Sequence, residues 1–461
     1  MTNNILVRFA PSPTGWLHVG NVRTAMVNYL FAKSMGGQFM LRIDDTDRTR
    51  SEAQYEAGIH EDLEWLLGAK PDMVKKQSDY FARYEEVKQQ LIAVGRLYPC
   101  YETAEELDIK RKMLIGRGLP PIYDRSGLTE TDEKRKEYTA AGRSSHYRFK
   151  LDAAPIVWDD MIRGRVEFDG SKLSDPVMFR EDGVALFTFA TSVDDGEMGI
   201  THILRGEDHV SNTAMQVQIM QAMGHTIPTF GHMALLKMKE GKISKRVGGG
   251  DIRSLREGGA FPLVLASYLA KIGTSDAIEL AESMDALIAS FDIKKFGRSM
   301  ANYDSEELER LNEKYVHRLS FSEAKTFIQS RTDSKDSFFG ENWHSDFNEQ
   351  FWDSIRGNLK SIDEAKVWFF ILLATTRFEG APEDTAFLSD AAKLLPLGQW
   401  DGNTWDQFAN AVKEKTGRKG KELFMPLRLA LTGMEHGPEM KVVFALLGRE
   451  RAEKRLLGEV A

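Results

Sequence analysis

The sequence predicts an α/β domain at the start of the chain followed by an all-α region, on three observations. Residues 5–10 are apolar and strand-like, and Pro11-Ser-Pro-Thr-Gly15 cannot continue a strand. Val22, Ala25, Met26, Tyr29 and Leu30 then recur with helical spacing, Gly36-Gly37 stops that helix, and residues 38–43 form a second apolar run. Strand–helix–strand in this order implies a parallel sheet, whose ligands sit at the carboxyl ends of its strands. Strand-like composition returns at residues 184–190 and 199–204. Beyond Arg253 the spacing is helical, with residues 261–272, 306–315 and 363–375 the clearest cases and 413–457 helical and basic. Between residues 77 and 180 the pattern loosens. A helical stretch at 80–95 leads into a charged, Gly/Pro-interrupted region with short strand-like pieces at 146–151 and 166–168, which reads as an insertion carried on the sheet.

Composition bounds the function. The 461 residues include 42% hydrophobic and 28% charged residues, a globular balance, with length for about three domains. The longest wholly apolar run, residues 367–374, is far shorter than a membrane helix requires, and the opening residues lack the features of a signal peptide. The one cysteine, Cys100, excludes an internal disulfide and a multi-thiolate metal site. These features predict a cytoplasmic protein. The net charge of −8 speaks against a general polycation but not against nucleic acid. Residues 411–461 hold 11 Lys+Arg against 7 Asp+Glu, which leaves +4 there and −12 elsewhere. Phosphate contacts depend on where positive charge lies.

Four segments carry candidate chemistry. Pro11 to Asn21 runs from a strand end through a Pro/Gly loop into a helix, with His18, Gly20 and Asn21 near its start. Unpaired N–H groups and the helix dipole there suit phosphate, Gly20 admits close approach, and His18 offers a hydrogen bond in a transition state. The alternative is a capping or core histidine. Lys242 to Arg246 (Lys-Ile-Ser-Lys-Arg), between Lys239 and Gly248-Gly-Gly250, suits a mobile arm closing on polyphosphate; the alternative is a solvated basic turn. No P-loop sequence is present. Asp44-Asp45-Thr46-Asp47 ends the second strand and suits an ammonium group or, through water, Mg²⁺; the alternative is a helix cap from Asp47 or Ser51. Leu204-Arg205-Gly-Glu-Asp-His209 follows a strand, and Arg205 suits carboxylate or phosphate unless it is spent in a salt bridge.

Taken in order, these segments resemble a known family, the bacterial glutamyl-tRNA synthetases, which are class I aminoacyl-tRNA synthetases. Arg8-Phe-Ala-Pro-Ser-Pro-Thr-Gly15 with Leu17-His-Val-Gly-Asn21 is similar to that family's opening and "HIGH" motif, and Lys242-Ile-Ser-Lys-Arg246 to its "KMSKS" motif. Arg42-Ile-Asp-Asp-Thr-Asp47 and Ile203-Leu-Arg-Gly-Glu-Asp-His209 resemble two further catalytic stretches. Phe291-Asp-Ile-Lys-Lys295 and Leu311-Asn-Glu-Lys-Tyr315 resemble its stem-contacting region, and Gly417-Arg-Lys-Gly-Lys421, Pro426-Leu-Arg428 and Leu447-Gly-Arg-Glu-Arg451 its C-terminal helices. The match spans nearly the whole chain.

The resemblance implies a class I Rossmann-like catalytic domain in two halves, residues 1–76 and 184–252, around an inserted α+β acceptor-end domain at 77–183. A helical stem-contact domain at 253–319 and an all-α anticodon-binding region at 320–461 would follow. It implies ATP-dependent attachment of L-glutamate to tRNA-Glu through glutamyl-adenylate, with Mg²⁺ accompanying ATP, by a cytoplasmic monomer. Some family members also load glutamate onto tRNA-Gln, and one sequence does not separate the two types. His18 and Lys245 would be catalytic; His18, Gly20, Asn21, Asp208, Lys242, Ser244 and Lys245 would hold ATP; and Arg8, Ser12, Asp44, Phe187 and Arg205 would surround glutamate.

Three departures stand out. Asp44 replaces a usual Glu, so its contact to the amino group is expected to be re-set or water-bridged. Phe187 replaces a usual Tyr and loses a hydroxyl. Many relatives hold zinc with three cysteines and a histidine, whereas the matching stretch here has Cys100, Glu102 and Tyr123-Asp-Arg-Ser-Gly127, so no zinc is expected. Competing readings are weaker: glutaminyl enzymes carry a β-barrel anticodon module, base-modifying paralogues lack the C-terminal half, and an inactive RNA-binding paralogue has no need of the ATP constellation.

Overall fold

A computed structural model describes residues 5–238, 251–331, 348–373 and 382–460. The chain divides into two compact units, Met1–Leu308 and Glu309–Ala461.

The first unit is built on a parallel sheet. Its strands are β1 (Leu6–Phe9), β2 (Gln38–Ile43) and β3 (Met73–Lys76) from the start of the chain, joined by helices α1 (Val19–Ser34) and α2 (Ala53–Leu67). An inserted segment follows: α3 (Phe81–Ala93), β4 (Leu97–Cys100), α4 (Ala104–Gly116), α5 (Asp132–Ala140), β5 (His146–Phe149), β6 (Ile156–Asp160), β7 (Gly164–Phe168) and β8 (Val177–Phe179). Strands β4, β5 and β8 form one antiparallel sheet, and β6 and β7 a hairpin. The chain then returns through α6 (Phe187–Glu197), β9 (His202–Gly206), α7 (Val210–Ala222) and β10 (Thr229–Met233). The sheet order is β10-β9-β1-β2-β3, with every neighbour parallel. Successive strands step one way from β1 and the other way from β9, so the chain reverses between these two. Open parallel sheets bind ligands at such a switch point, beyond the carboxyl ends of the strands.

One expectation fails here. Residues 184–190 are not a strand: Phe187–Glu197 is helical. The run Val184-Ala-Leu-Phe-Thr-Phe is rich in β-branched and aromatic residues, which mimics a strand. Its buried members Phe189 and Val193 instead stand four residues apart on one helix face, and they join one core with Leu91, Phe149 and Phe179, while Ala185, just before the helix, bridges to Phe179. The tertiary core overrides the local propensity. The caps proposed for the second helix also fail. Glu52 precedes α2 without a side-chain cap, and Asp47 instead accepts from Thr49 and Arg50.

After β10 come β11 (Leu236–Met238), α8 (Ile252–Glu257), α9 (Pro262–Lys271), α10 (Met284–Ser290) and β12 (Ala301–Tyr303), with β11 and β12 paired in parallel. Arg23 of α1 ties this part to the sheet, donating to the carbonyls of Ala234 and Ile272 at 2.7 and 3.1 Å. Gly273 (φ +77°) makes room for that guanidinium, since a Cβ there would lie 2.7 Å from Arg23 Nη2.

The described residues of the second unit are helical, including Phe321–Arg331, Glu349–Ile355, Glu364–Leu373, Thr385–Ala392, Thr404–Thr416, Lys421–Thr432, Met440–Leu447 and Arg449–Leu456. Phe444 stacks between Trp400 and Phe408, at 4.2 and 4.9 Å between ring centroids. The structure also refines the local charge surplus. Arg455 is buried and donates to the carbonyls of Ile371 and Leu431, so it is a core residue and not part of a basic surface. Arg418, Lys441, Arg449 and Lys454 pair with Asp384, Asp406, Glu453 and Glu450.

Candidate active site

A cavity of about 590 Å³ opens at the switch point. Arg8, Phe9 and Ala10 enter it from the end of β1, and Arg205 and Gly206 from β9. His18, Gly20 and Asn21 line it from the start of α1, as do Phe187, Asp208 and Asp251. The structure therefore gathers most of the residues singled out in the sequence, although Arg8 and Arg205 stand nearly 200 positions apart.

His18 is the N-cap of α1. Its Nδ1 accepts from the backbone N–H groups of Gly20 (3.1 Å) and Asn21 (3.4 Å). Those two groups are thus engaged, not free for phosphate as the sequence implied, and capping and catalysis cease to be alternatives. With Nδ1 accepting, a neutral ring carries its proton on Nε2. Burial pushes the imidazole below its usual range, which favours that neutral form. Gly20 is required by the ring itself, because a Cβ there would fall 2.9 Å from His18 Cε1.

Arg205 is buried at the floor, and no carboxylate neutralises it by direct contact among the described residues. Its Nη2 donates to Thr213 Oγ1 (2.5 Å) and Gln216 Oε1 (2.6 Å), and its Nε to His232 Nε2 (3.3 Å). These three side-chain acceptors, like the His209 carbonyl 3.5 Å from Nη2, are uncharged, so the salt-bridge alternative fails. Its Nη1 is buried with no hydrogen-bond partner among the described residues. Burial, with Arg8 nearby, draws the guanidinium down to about 9, still a cation at neutral pH.

Arg8 differs. It makes a two-pronged bond to Asp195, with Nε–Oδ1 and Nη2–Oδ2 both at 3.1 Å. Asp195 also accepts from Arg42 Nη1 at 2.5 Å, while Arg42 Nε donates to Asp44 Oδ1 at 2.8 Å. Asp194 stands 3.8 Å from Arg42 and accepts from Gln77 (2.7 Å) and Tyr84 (2.9 Å). Two arginines therefore share three buried carboxylates. Burial pushes Asp44 up in spite of Arg42, and pushes Asp194 up to about 6. Burial also opposes ionisation of Asp195, but its contacts with both arginines win and hold it below the carboxylate range.

Asp44 is thus spent on Arg42 and, like the exposed Ser12, is not among the residues lining the cavity. Phe187 does line it, at the first turn of α6, with its ring 5.3 Å from that of His209. Lys242, Ser244, Lys245 and Arg246 lie outside the described residues. The flanks of that segment are described, and both Leu236 before it and Asp251 after it line the cavity. Asp251 bridges to His18, and Ile252 N–H donates to the Leu17 carbonyl at 2.9 Å.

The family model described as "tRNA synthetases class I (E and Q), catalytic domain" matches residues 4–310, and "Anticodon binding domain" matches residues 372–458. Glutamate–tRNA ligase 1 of Maricaulis maris is 48% identical over 457 residues, covering 99% of each chain. Glutamate–tRNA ligase of Azospirillum brasilense is 48% identical over 461 residues, covering 99% of this chain and 100% of its own. The chain belongs to the glutamate–tRNA ligase family. A solved glutamate–tRNA ligase from Elizabethkingia meningosepticum, in complex with its amino acid, superposes with a TM-score of 0.75 at 27% identity, covering 98% of both chains.

Within the ligase, sequence reasoning missed the residues that support the arginines. Asp194 and Asp195, two adjacent acids that follow Phe189, Ala190 and Val193, are the clearest of these. Asp160, His232 and Asp251 carried no local signal.

The stretch expected to lack zinc holds the one group of possible metal ligands among the described residues, Cys100, Glu102 and His146, whose ligand atoms lie within 4.8 Å of one another. The donors do not suit a dication. Glu102 Oε1 already accepts from Ser126 (2.5 Å), Tyr123 (2.9 Å) and the Lys110 ammonium (3.2 Å). Burial pushes the Cys100 thiol up to about 11, so without a metal it is protonated at neutral pH. Glu102 Oε2 and His146 Nε2 have no hydrogen-bond partner among the described residues. Elemental analysis of the purified ligase is expected to find far less than one zinc per chain, and stoichiometric zinc that survives dialysis would overturn this.

Proposed function

We propose that the ligase activates L-glutamate with ATP–Mg²⁺ and transfers it to the 3′ end of tRNA-Glu, acting as a cytoplasmic monomer. The observation that carries this reading is Arg205, a buried cation that lines the cavity and whose Nη1 has no hydrogen-bond partner among the described residues. A substrate carboxylate supplies what that site lacks. Arg8, held by Asp195, adds a second positive group at the end of β1. Phe187 contributes a wall, and Asp44 acts at one remove, through Arg42.

The reaction needs no protein nucleophile. The α-carboxylate of glutamate attacks the α-phosphorus of ATP, expelling pyrophosphate and forming glutamyl-adenylate. A terminal ribose hydroxyl of tRNA then takes the acyl group and AMP leaves. Mg²⁺ arrives with ATP and offsets the charge of its phosphates. The chain contributes position and charge: His18 donates through Nε2–H, Gly20 and Asn21 border the phosphates, and Asp208 stands near the nucleotide. Lys242, Ser244 and Lys245 close on the phosphates, and Lys245 meets the charge that grows on them in the transition state. Residues 77–183 then receive the acceptor end, 253–319 the stem and 320–461 the anticodon.

Aminoacylation assays with purified tRNA-Glu and tRNA-Gln, each with glutamate and with glutamine, test the reading and define the tRNA range. Esterification of glutamine instead of glutamate would defeat it. Replacing Lys245 with Ala is expected to slow glutamate-dependent ATP–pyrophosphate exchange about 100-fold or more, with tRNA affinity retained. The exchange is followed with and without tRNA, and an unchanged rate removes Lys245 from the site.

A further inference from the structure

Arg205 is aimed by a pair of residues that never reach the cavity. Asp160 ends β6, in the inserted segment, and His232 lies in β10; both side chains are fully buried. Asp160 Oδ1 accepts three backbone N–H bonds, from Ile162 and Arg163 at 3.0 Å and from His232 at 3.1 Å. Its Oδ2 lies 2.5 Å from His232 Nδ1. On the other side of the ring, Nε2 is 3.3 Å from Arg205 Nε and 2.8 Å from Thr213 Oγ1. The ring of Phe230 is nearly parallel to the imidazole, at 13° and 6.0 Å between centroids.

A guanidinium has donors only. Its contact with Nε2 therefore requires that nitrogen to accept, which places the imidazole proton on Nδ1, facing a carboxylate that can only accept. We propose that Asp160 and His232 are positioning residues, which lock one histidine tautomer so that Arg205 Nε is held and Nη1 is left for the substrate. The inference rests on the reading of Arg205 as the carboxylate anchor. It adds that the anchor is oriented by uncharged acceptors alone: His232, Thr213 and Gln216 fix the fork without neutralising it. A carboxylate in the place of His232 would hold the fork as well but would cancel its charge. An imidazolium there would set donor against donor.

Asp160→Asn tests the mechanism while nearly conserving shape. The Asn carbonyl can keep the backbone bonds, but its amide N–H then faces His232 Nδ1 and favours the proton on Nε2, against Arg205. In histidine-selective ¹⁵N spectra of the full chain, with the His232 signal assigned by its loss in H232Q, the protonated ring nitrogen is expected to change from Nδ1 to Nε2. KM for glutamate is expected to rise about 10- to 100-fold, the loss of one hydrogen bond to a charged group, with KM for ATP within about twofold. His232→Leu should raise KM for glutamate similarly, and His232→Gln, which presents an acceptor where Nε2 stood, should recover most of that loss. This contrast decides the matter if Asp160→Asn fails to fold. The proposal is overturned if the Asn variant keeps its proton on Nδ1, or if His232→Leu leaves KM for glutamate unchanged while Arg205→Leu raises it. An Arg205→Leu variant with normal KM for glutamate would instead remove the anchor reading, and the spectra would still report on the tautomer lock.

Discussion

Arg205→Leu is expected to raise KM for glutamate at least about 100-fold, with KM for ATP little changed and the chain folded. A charge-assisted hydrogen bond contributes roughly 1.5–3 kcal/mol, and a two-pronged contact to a carboxylate more, so a loss near 3 kcal/mol is a modest expectation. The effect is large because the cation is buried and has no counterion in direct contact among the described residues; water has not already screened it, as at an exposed site. Leucine also strands the buried Gln216 Oε1 without its donor and removes the bonds from Arg205 to Thr213 Oγ1 and His232 Nε2. Arg205→Lys keeps a charge but loses the planar fork, and an intermediate KM is expected. Glutamate titrations of the activation step measure all three proteins. A KM within threefold of the wild type for the leucine variant would show that the cavity holds its carboxylate elsewhere.

Asp195→Ala is expected to destabilise the first unit by about 3–5 kcal/mol, the usual result of removing one partner from a buried ion pair. Asp195 is fully buried and serves two arginines at once. Without it Arg8 has no hydrogen-bonded counterion among the described residues, and Arg42 keeps Asp44 and the more distant Asp194. Urea unfolding at pH 7 measures the loss. Its pH dependence provides a second check. The Asp195 carboxyl is depressed in the folded state, so its contribution is present above the unfolded carboxyl range and is lost only as pH falls through the lower folded value. The difference between wild type and Asp195→Ala should thus be nearly constant from pH 7 to pH 5. Asp194 has the opposite sign. It is raised to about 6 in the folded state, so its favourable contribution is complete only below the unfolded value and is lost as pH rises through about 6. A destabilisation in Asp195→Ala that vanishes at pH 5 would show that Asp194, not Asp195, dominates the network.

Much of the site was legible because its signals are local. The Pro/Gly loop after a strand, His18 at a helix start and Arg205 at a strand end each follow from short-range sterics and from the hydrophobic period of a few neighbouring residues. These fixed β1, α1, β2 and the parallel order, whereas Arg8, and its grouping with His18, Gly20, Asn21 and Arg205, came from the family resemblance. Where propensity and packing disagreed, local reasoning failed. Phe187 to Ala190 has strand composition yet lies in a helix, because only a helix delivers Phe189 and Val193 to the same core.

The sequence by itself determined which groups carry charge, where the chain turns and which strand ends bear functional side chains. Only the tertiary structure decided how those charges are shared. Arg8 and Arg205 look alike as strand-end arginines, yet one is paired with Asp195, 187 positions away, and the other is left with neutral acceptors. The physical reason is that a buried charge is set by what stands within a few ångströms of it. The sheet order chooses those neighbours, bringing together residues that no local pattern links.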